Sequence, residues 1–132
     1  MSARYLLDTN IASYAMRHEE PVRSRLAKTR PDEIAISAIT EGELRYGLAR
    51  HPSRALEAKV QSFLATVAVL SWDSLAAQKY GELRAHLEAT GQSVGSLDLL
   101  IGAHAWSAGL ILVTHDQSLT RIKKLKVEDW TR

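Results

Sequence analysis

The sequence contains no cysteine among its 132 residues. This absence excludes a disulfide framework and any metal site that is built on thiolates. No apolar run approaches the roughly 18 residues of a membrane-spanning helix. Only three apolar residues follow Arg4 before the first acid, so the N-terminal segment lacks the pattern of a secretory signal. We therefore expect a soluble, cytoplasmic protein without membrane association.

A large excess of charge of one sign is also absent. The formal net charge of +2 arises from 17 Lys and Arg against 15 Asp and Glu. This small basic surplus is compatible with nucleic-acid binding but does not require it. Hydrophobic residues make up 45% of the chain, which is enough for a sizeable core. The length suggests a single domain over residues 1–132.

Short apolar runs alternate with segments of helical periodicity along the chain. The predicted strands are residues 5–7, 34–37, 67–70, 110–113 and 126–128. The predicted helices are residues 10–18, 21–28, 38–50, 54–65, 75–89, 97–108 and 117–123. This alternation predicts an α/β sandwich around a short, mostly parallel sheet, with the strands covered on both faces.

The stretch from Tyr5 to Asn10 is the centre of this interpretation. A short apolar run is followed at once by Asp8, Thr9 and Asn10, and then by a helical pattern. Asp8 thus falls at the carboxyl end of a buried strand, where open α/β sheets place their functional crevice. An equally good interpretation at this point is that Asp8 only caps the helix that follows.

Three further acids occupy comparable positions. Glu43 follows the second predicted strand by one to two helical turns, Asp98 begins a helix, and Asp116 follows the strand 110–113. If the strands are parallel, these carboxylates converge at one edge of the sheet. Carboxylates that share a small cleft need raised pKa values or a cation between them. A hard divalent cation such as Mg²⁺ or Mn²⁺ suits oxygen ligands, and such a site is well adapted to phosphodiester hydrolysis.

Each of these acids also has a simpler explanation. Glu43 lies near Arg45 and Arg50 and could form a surface ion pair. Asp98 could be a first-turn acid that the helix dipole favours, and Asp116 could cap a short helix. Taken singly, the simpler explanation is the better one for each. Taken together it weakens, because all four acids fall at the same kind of topological position.

Motifs in order along nearly the whole chain resemble those of PIN domains, specifically VapC-type toxins of bacterial type II toxin–antitoxin pairs. The matching segments are Leu7-Asp8-Thr9-Asn10, residues 37–44 with Tyr46-Gly47, Asp98 with Ile101, Ala103 and His104, residues 109–114 with Asp116, and Val127-Glu128-Asp129-Trp130. The resemblance implies a three-layer α/β/α sandwich and a magnesium-dependent endoribonuclease, with Mn²⁺ as a possible substitute. It implies that Asp8, Glu43, Asp98 and Asp116 are the catalytic, metal-binding residues.

The resemblance also assigns supporting residues, a substrate and partners. Thr114 and Asn10 would orient a water or a carboxylate from outside the ligand set. A metal-activated water would attack the phosphorus in line and leave 5′-phosphate and 3′-hydroxyl ends. The substrate would be structured RNA, such as a tRNA anticodon stem-loop, with initiator tRNA as the favoured case. A cognate VapB-type antitoxin, indirect contact with operator DNA through that antitoxin, and a homodimer are implied as well.

The sequence also bears on other interpretations of the same residues. A phosphatase with Asp8 as nucleophile needs a second Asp two residues later, where this chain has Asn10. A nonenzymatic PIN-fold module that acts with an antitoxin on operator DNA, and a housekeeping PIN ribonuclease, remain alternatives. We expect His104 to be a packed or hydrogen-bonded residue rather than a ligand. His115 beside Asp116 has no second His-Asp pair to complete a metal dyad, so it is not expected to be a ligand either.

Overall fold

A computed structural model describes residues 3–132. The strands are β1 Tyr5–Leu7, β2 Ile34–Ser37, β3 Ala68–Leu70, β4 Ile111–Val113 and β5 Val127–Glu128. The helices are α1 Thr9–Met16, α2 Val22–Ala27, α3 Ala38–Arg50, α4 Arg54–Thr66, α5 Ser74–Ala89 and α6 Ser96–Ala108, with short 3-10 turns at Pro31–Glu33 and Gln117–Arg121. Nearly every predicted element is therefore present.

The strands form one sheet in the order β3-β2-β1-β4-β5, and every observed pairing is parallel. Strand β1 is central, because it pairs with β2 on one side and with β4 on the other. All three of its residues are buried. A backbone bond of 3.0 Å from the N–H of Asp8 to the carbonyl of Val113 extends the β1–β4 contact to the site of interest.

Helices cover both faces of the sheet. Successive side chains of a strand point to opposite faces, so Leu7 enters one core with α1, α2 and α4, whereas Leu6 enters the other with α5 and α6. Both leucines are 0% exposed. The predicted three-layer α/β/α sandwich is confirmed.

Two local expectations differ from the structure. Strand β3 was expected to be covered on both faces, but it is an edge strand in which Ala68 and Val69 are exposed. Instead of a helix over residues 117–123, the structure has the 3-10 turn Gln117–Arg121, which Asp116 caps. Within residues 3–132, no helix is both long and apolar enough to cross a membrane.

Candidate active site

The carboxyl ends of the parallel strands meet at one edge of the sheet. Asp8 follows β1, Ser37 ends β2, Thr114 follows β4 and Asp129 follows β5. Because all pairings are parallel, residues that are far apart in sequence become neighbours at this edge. Asp8, Ser37 and Thr114 are all buried there, at 4%, 0% and 1% exposure.

Asp8 is both a helix cap and a buried carboxylate. Its Oδ1 accepts a hydrogen bond of 2.9 Å from the backbone N–H of Ile11, which caps α1. Burial raises the pKa of Asp8, and the charges of Asp116 and Asp129 raise it further, while hydrogen bonds from Thr114 and Ile11 partly offset the rise. The cap occupies only part of the carboxylate's acceptor capacity, so the capping role and a ligand role are compatible.

Asp98 and Asp116 form a hydrogen-bonded carboxyl pair. Burial, the hydrogen bond with Asp116, and the charges of Asp116 and Asp8 together raise the pKa of Asp98 to about 6. Burial also acts to raise the pKa of Asp116, but hydrogen bonds from Ser118 and Asp98 outweigh it, so that pKa is lowered. The amide and hydroxyl of Ser118 lie 2.9 and 2.7 Å from Asp116 Oδ1. When the pair carries one proton, Asp98 has the higher affinity for it, because the pKa of Asp98 is raised and that of Asp116 is lowered.

Thr114 connects the carboxylates of neighbouring strands. Its Oγ1 accepts a hydrogen bond of 3.0 Å from the backbone N–H of Asp116, and its side chain lies near enough to Asp8 to lower the pKa of that carboxyl. The start of α6 approaches closely on the other side, where a Cβ built on Gly95 would lie 3.3 Å from Asp98 Oδ2. A side chain at position 95 would therefore crowd the carboxyl pair.

Glu43 lies across a cleft from Asp98. The cleft has a volume of about 450 Å³ and is lined by Thr9, Asn10, Glu43 and residues 95–98. Asn10 is exposed in this cleft and supplies an amide to its wall. The structure thus brings Asp8, Asp98 and Asp116 within electrostatic range of one another, and Glu43, on α3, lines the same cleft as Asp98.

The chemistry of this donor set fits a hard divalent cation. Three carboxylates lie within electrostatic range of one another, and the pKa of Asp98 is raised chiefly by burial and further by its contact with Asp116 and the charges of Asp116 and Asp8. A cation would remove that penalty. No group of three or more His, Asp or Glu side chains in residues 3–132 is arranged to hold an ion by itself. Mg²⁺ usually keeps several waters and takes further oxygens from a substrate phosphate.

Asp129 is a further acid at this edge that the sequence analysis did not assign. Its charge acts on Asp8, and its carboxylate accepts a hydrogen bond of 2.9 Å from the N–H of Thr131. The side chains of His115 and Arg132 lie 3.1 and 3.3 Å from its Oδ2. A signal was present in the sequence, because Asp129 directly follows a predicted strand, as Asp8 does.

His104 is buried inside the fold, away from the carboxyl pair. Its Nδ1 lies 2.8 Å from Ser37 Oγ, and Ser37 caps α3 through the N–H of Ile39. Burial lowers the pKa of His104, against an opposing effect of Asp73. The expectation that His104 is a packed, hydrogen-bonded residue is confirmed.

Comparison with known proteins gives the family of the chain. Residues 5–125 match the PIN domain family. The chain is 36% identical over 132 residues to the tRNA(fMet)-specific endonuclease VapC of Shigella flexneri, an alignment that covers 97% of this chain and 98% of the relative. The chain belongs to the VapC family of PIN-domain ribonucleases. Ribonuclease VapC2 of Rickettsia felis is 34% identical over 97% of this chain and 98% of its own length.

Solved VapC-containing structures share the whole fold. The crystal structure of VapBC2 from Rickettsia felis bound to a DNA fragment from their promoter has a TM-score of 0.88 at 34% identity, over 96% of this chain and 98% of that chain. DNA-bound VapBC from Salmonella typhimurium gives 0.85 at 34% identity, over 97% and 98%. The resemblance to PIN-domain toxins is therefore confirmed. PIN-domain ribonucleases generally depend on divalent metal ions.

Proposed function

We propose that this VapC-type toxin is a magnesium-dependent endoribonuclease that cuts the anticodon stem-loop of a tRNA, with initiator tRNA as its target. The observation that carries the proposal is the Asp98–Asp116 carboxyl pair beside buried Asp8, at the mouth of a cleft that also contains Glu43. The choice of substrate is supported by the tRNA(fMet)-specific relative at 36% identity.

We assign the metal to Asp8, Asp98, Asp116 and Glu43, with Mn²⁺ able to replace Mg²⁺. When bound, the cation supplies a water of lowered pKa and offsets negative charge at the phosphate. The chain itself fixes the carboxylates beforehand. The N–H of Ile11 holds Asp8, and Ser118 holds Asp116, so these groups need little reorganisation when RNA binds. Thr114 and Asn10 would orient a carboxylate or a water from outside the ligand set.

The cleft gives single-stranded RNA a place to lie. Tyr46 is 58% exposed on α3, one turn beyond Glu43, and presents an aromatic face on which an unstacked base could stack. Splayed loop nucleotides are the usual target of sequence-specific RNA recognition. Hydrolysis at the acids would leave 5′-phosphate and 3′-hydroxyl ends.

We further propose that a VapB-type antitoxin neutralises the toxin and carries it to operator DNA. On the opposite side from the acids, α1, α2 and α4 enclose a mainly apolar cavity of about 580 Å³, lined in part by Met16, Leu26 and Phe63. An apolar antitoxin segment would fit there. The solved VapBC complexes with DNA support the assignment of partners. We propose a homodimer that acts in the cytoplasm, where its tRNA substrate is.

Induced expression with mapping of RNA ends tests this function. The wild type should arrest growth and generate one or a few discrete 5′-phosphate ends. Asp8→Asn keeps an N-cap side chain but removes the charge, so it should fold and do neither. Asp32→Asn, at an exposed acid of the turn Pro31–Glu33, is the matched control and should behave as the wild type. Equal arrest by the wild type and Asp8→Asn, or the absence of new ends, would refute the metal-nuclease assignment.

A further inference from the structure

One ring nitrogen of His115 is anchored by the segment that follows β5. Its Nδ1 lies 3.1 Å from Asp129 Oδ2 and 3.0 Å from Thr131 Oγ1. The hydroxyl of Thr131 donates its proton to Asp129 Oδ1. A carboxylate can only accept, and the Thr131 proton is already committed, so Nδ1 carries the proton of this contact. The protonation state of Nδ1 and the direction of the ring are thus both set by the fold.

The opposite nitrogen, Nε2, is left available at the outer end of the ring. The side chain of His115 is 60% exposed although Nδ1 is engaged. Nε2 is the ring nitrogen farther from the backbone, and it has no hydrogen-bond partner within residues 3–132. Since Nδ1 is protonated, Nε2 accepts a hydrogen bond when the imidazole is neutral and donates one when it is not.

The anchored ring lies beside the candidate metal centre. His115 stands between Thr114 and Asp116 in the segment that leaves β4, and its charge acts on Asp116. The anchoring residue Asp129 in turn acts on Asp8. In the sheet order, β2, which leads into the helix that carries Glu43, lies on one side of β1, and β4, which leads into His115, lies on the other. An RNA strand that ran along this direction, with its phosphate at the acids, would have one neighbouring nucleotide beside the cleft and the other beside His115.

We propose that His115 determines the preference for RNA by binding, through Nε2, the 2′-hydroxyl of a ribose next to the scissile phosphate. This inference rests on the proposed function. Hydrolysis by an activated water does not itself use the 2′-hydroxyl, so a contact to that group is a means by which the site can distinguish RNA from DNA. The 2′-hydroxyl is both donor and acceptor, so it matches Nε2 in either protonation state of the ring.

Matched changes in enzyme and substrate test the contact. The substrate is a synthetic anticodon stem-loop of initiator tRNA whose cut position has been mapped with the wild type. Two further stem-loops carry one 2′-deoxy nucleotide on either side of the cut. The enzymes are the wild type, His115→Phe, which keeps a ring but no nitrogen, and His86→Phe as the control at an exposed histidine of α5. The measured quantity is kcat/KM for each combination in Mg²⁺.

One of the deoxy substrates should lower kcat/KM of the wild type and of the His86 variant by about tenfold, the size of one lost hydrogen bond. His115→Phe should lose a similar factor on the all-ribose substrate and be indifferent to that deoxy change. The two losses should therefore not multiply. If the deoxy sugar acts only through an electronic effect on the leaving group, the loss in kcat/KM should persist in His115→Phe. If His115 has only a structural role, His115→Phe should lower kcat/KM by the same factor on every substrate.

The outcomes separate the two proposals. Multiplying losses, or wild-type cleavage of the all-ribose substrate by His115→Phe, would overturn the His115 assignment and leave the nuclease function intact. If neither 2′-deoxy change lowers kcat/KM of the wild type, the His115 assignment is overturned as well. A wild type that cuts no stem-loop, although its growth arrest and new RNA ends appear in cells, would overturn the proposed substrate and the His115 contact with it. Absence of any RNA cleavage would overturn the proposed function itself.

Discussion

Asp98→Asn should stabilise the metal-free protein while abolishing its activity. The substitution preserves the shape of the side chain but removes its negative charge. In the folded protein the pKa of Asp98 is raised from 3.8 to about 6, chiefly by burial and then by its contact with Asp116. The ionised form is therefore less favourable in the folded state than in the unfolded chain, and the asparagine variant avoids that penalty.

The size and sign of the effect follow from linkage. A rise from 3.8 to about 6 corresponds to roughly 3 kcal/mol at about 1.4 kcal/mol per pH unit. Asp98 is only partly buried, so solvent screening reduces this to about 1–2 kcal/mol. Because the folded pKa is raised, the stabilisation by protonation is fully present below the unfolded pKa and is lost as the pH rises through about 6. The advantage of Asp98→Asn should thus be complete near about pH 8 and fall by about half near about pH 5.

Urea denaturation in EDTA at these two pH values measures the difference. Glu19→Gln is the control of equal charge change, because Glu19 is exposed and its side chain makes no ion pair or hydrogen bond among the described residues. It should change stability little at either pH. Addition of Mg²⁺ should then stabilise the wild type more than Asp98→Asn, because the cation binds the intact acidic set. A variant that is less stable than the wild type at the higher pH, or an advantage that does not change with pH, would refute this reasoning.

Two other variants test the surroundings of the site. Thr114→Val preserves shape but removes the hydroxyl that contacts Asp8 and accepts the N–H of Asp116, so RNA cleavage should fall by about 10- to 100-fold; unchanged kcat/KM would contradict that role. His104→Gln should cost stability above the usual His pKa of 6.5, where the wild-type ring is neutral and bonded to Ser37. Because burial lowers the pKa of His104, the wild type loses this stabilisation as the pH falls below the usual His pKa. In thermal unfolding, the difference in Tm between the wild type and His104→Gln should therefore become smaller towards acid pH.

Local patterns sufficed to predict the elements that surround the site. The apolar run before Asp8 predicts a buried strand, and Asp8 itself marks the beginning of the next helix, as the structure shows. Gly109, with a φ of 68°, ends α6 in the left-handed region, as a glycine after a helical pattern predicts. These features depend on residues within one or two turns of each other, so the sequence carries them directly.

For segments far apart in sequence, the parallel sheet predicts only that the ends of the strands lie close together, not which side chains make contact. That Asp98 and Asp116 share a hydrogen bond depends on how the start of α6 packs against the segment after β4, and no periodicity records that distance. The exposure of Val69 depends on the strand order, which leaves β3 at an edge. Asp129 reaches the site because β5 pairs with β4 rather than with another strand.

The crowding of carboxylates is tolerable because the strand that carries Asp8 is anchored on both faces. Leu6 and Leu7 are fully buried in the two separate cores. Truncation of a buried leucine to alanine typically costs about 2–5 kcal/mol, so each of these contacts outweighs the electrostatic penalty of about 1–2 kcal/mol at Asp98. These apolar contacts therefore offset the electrostatic penalty at Asp98 when no cation is bound. The crowded negative charge favours the binding of a cation, which can in turn hold an RNA phosphate.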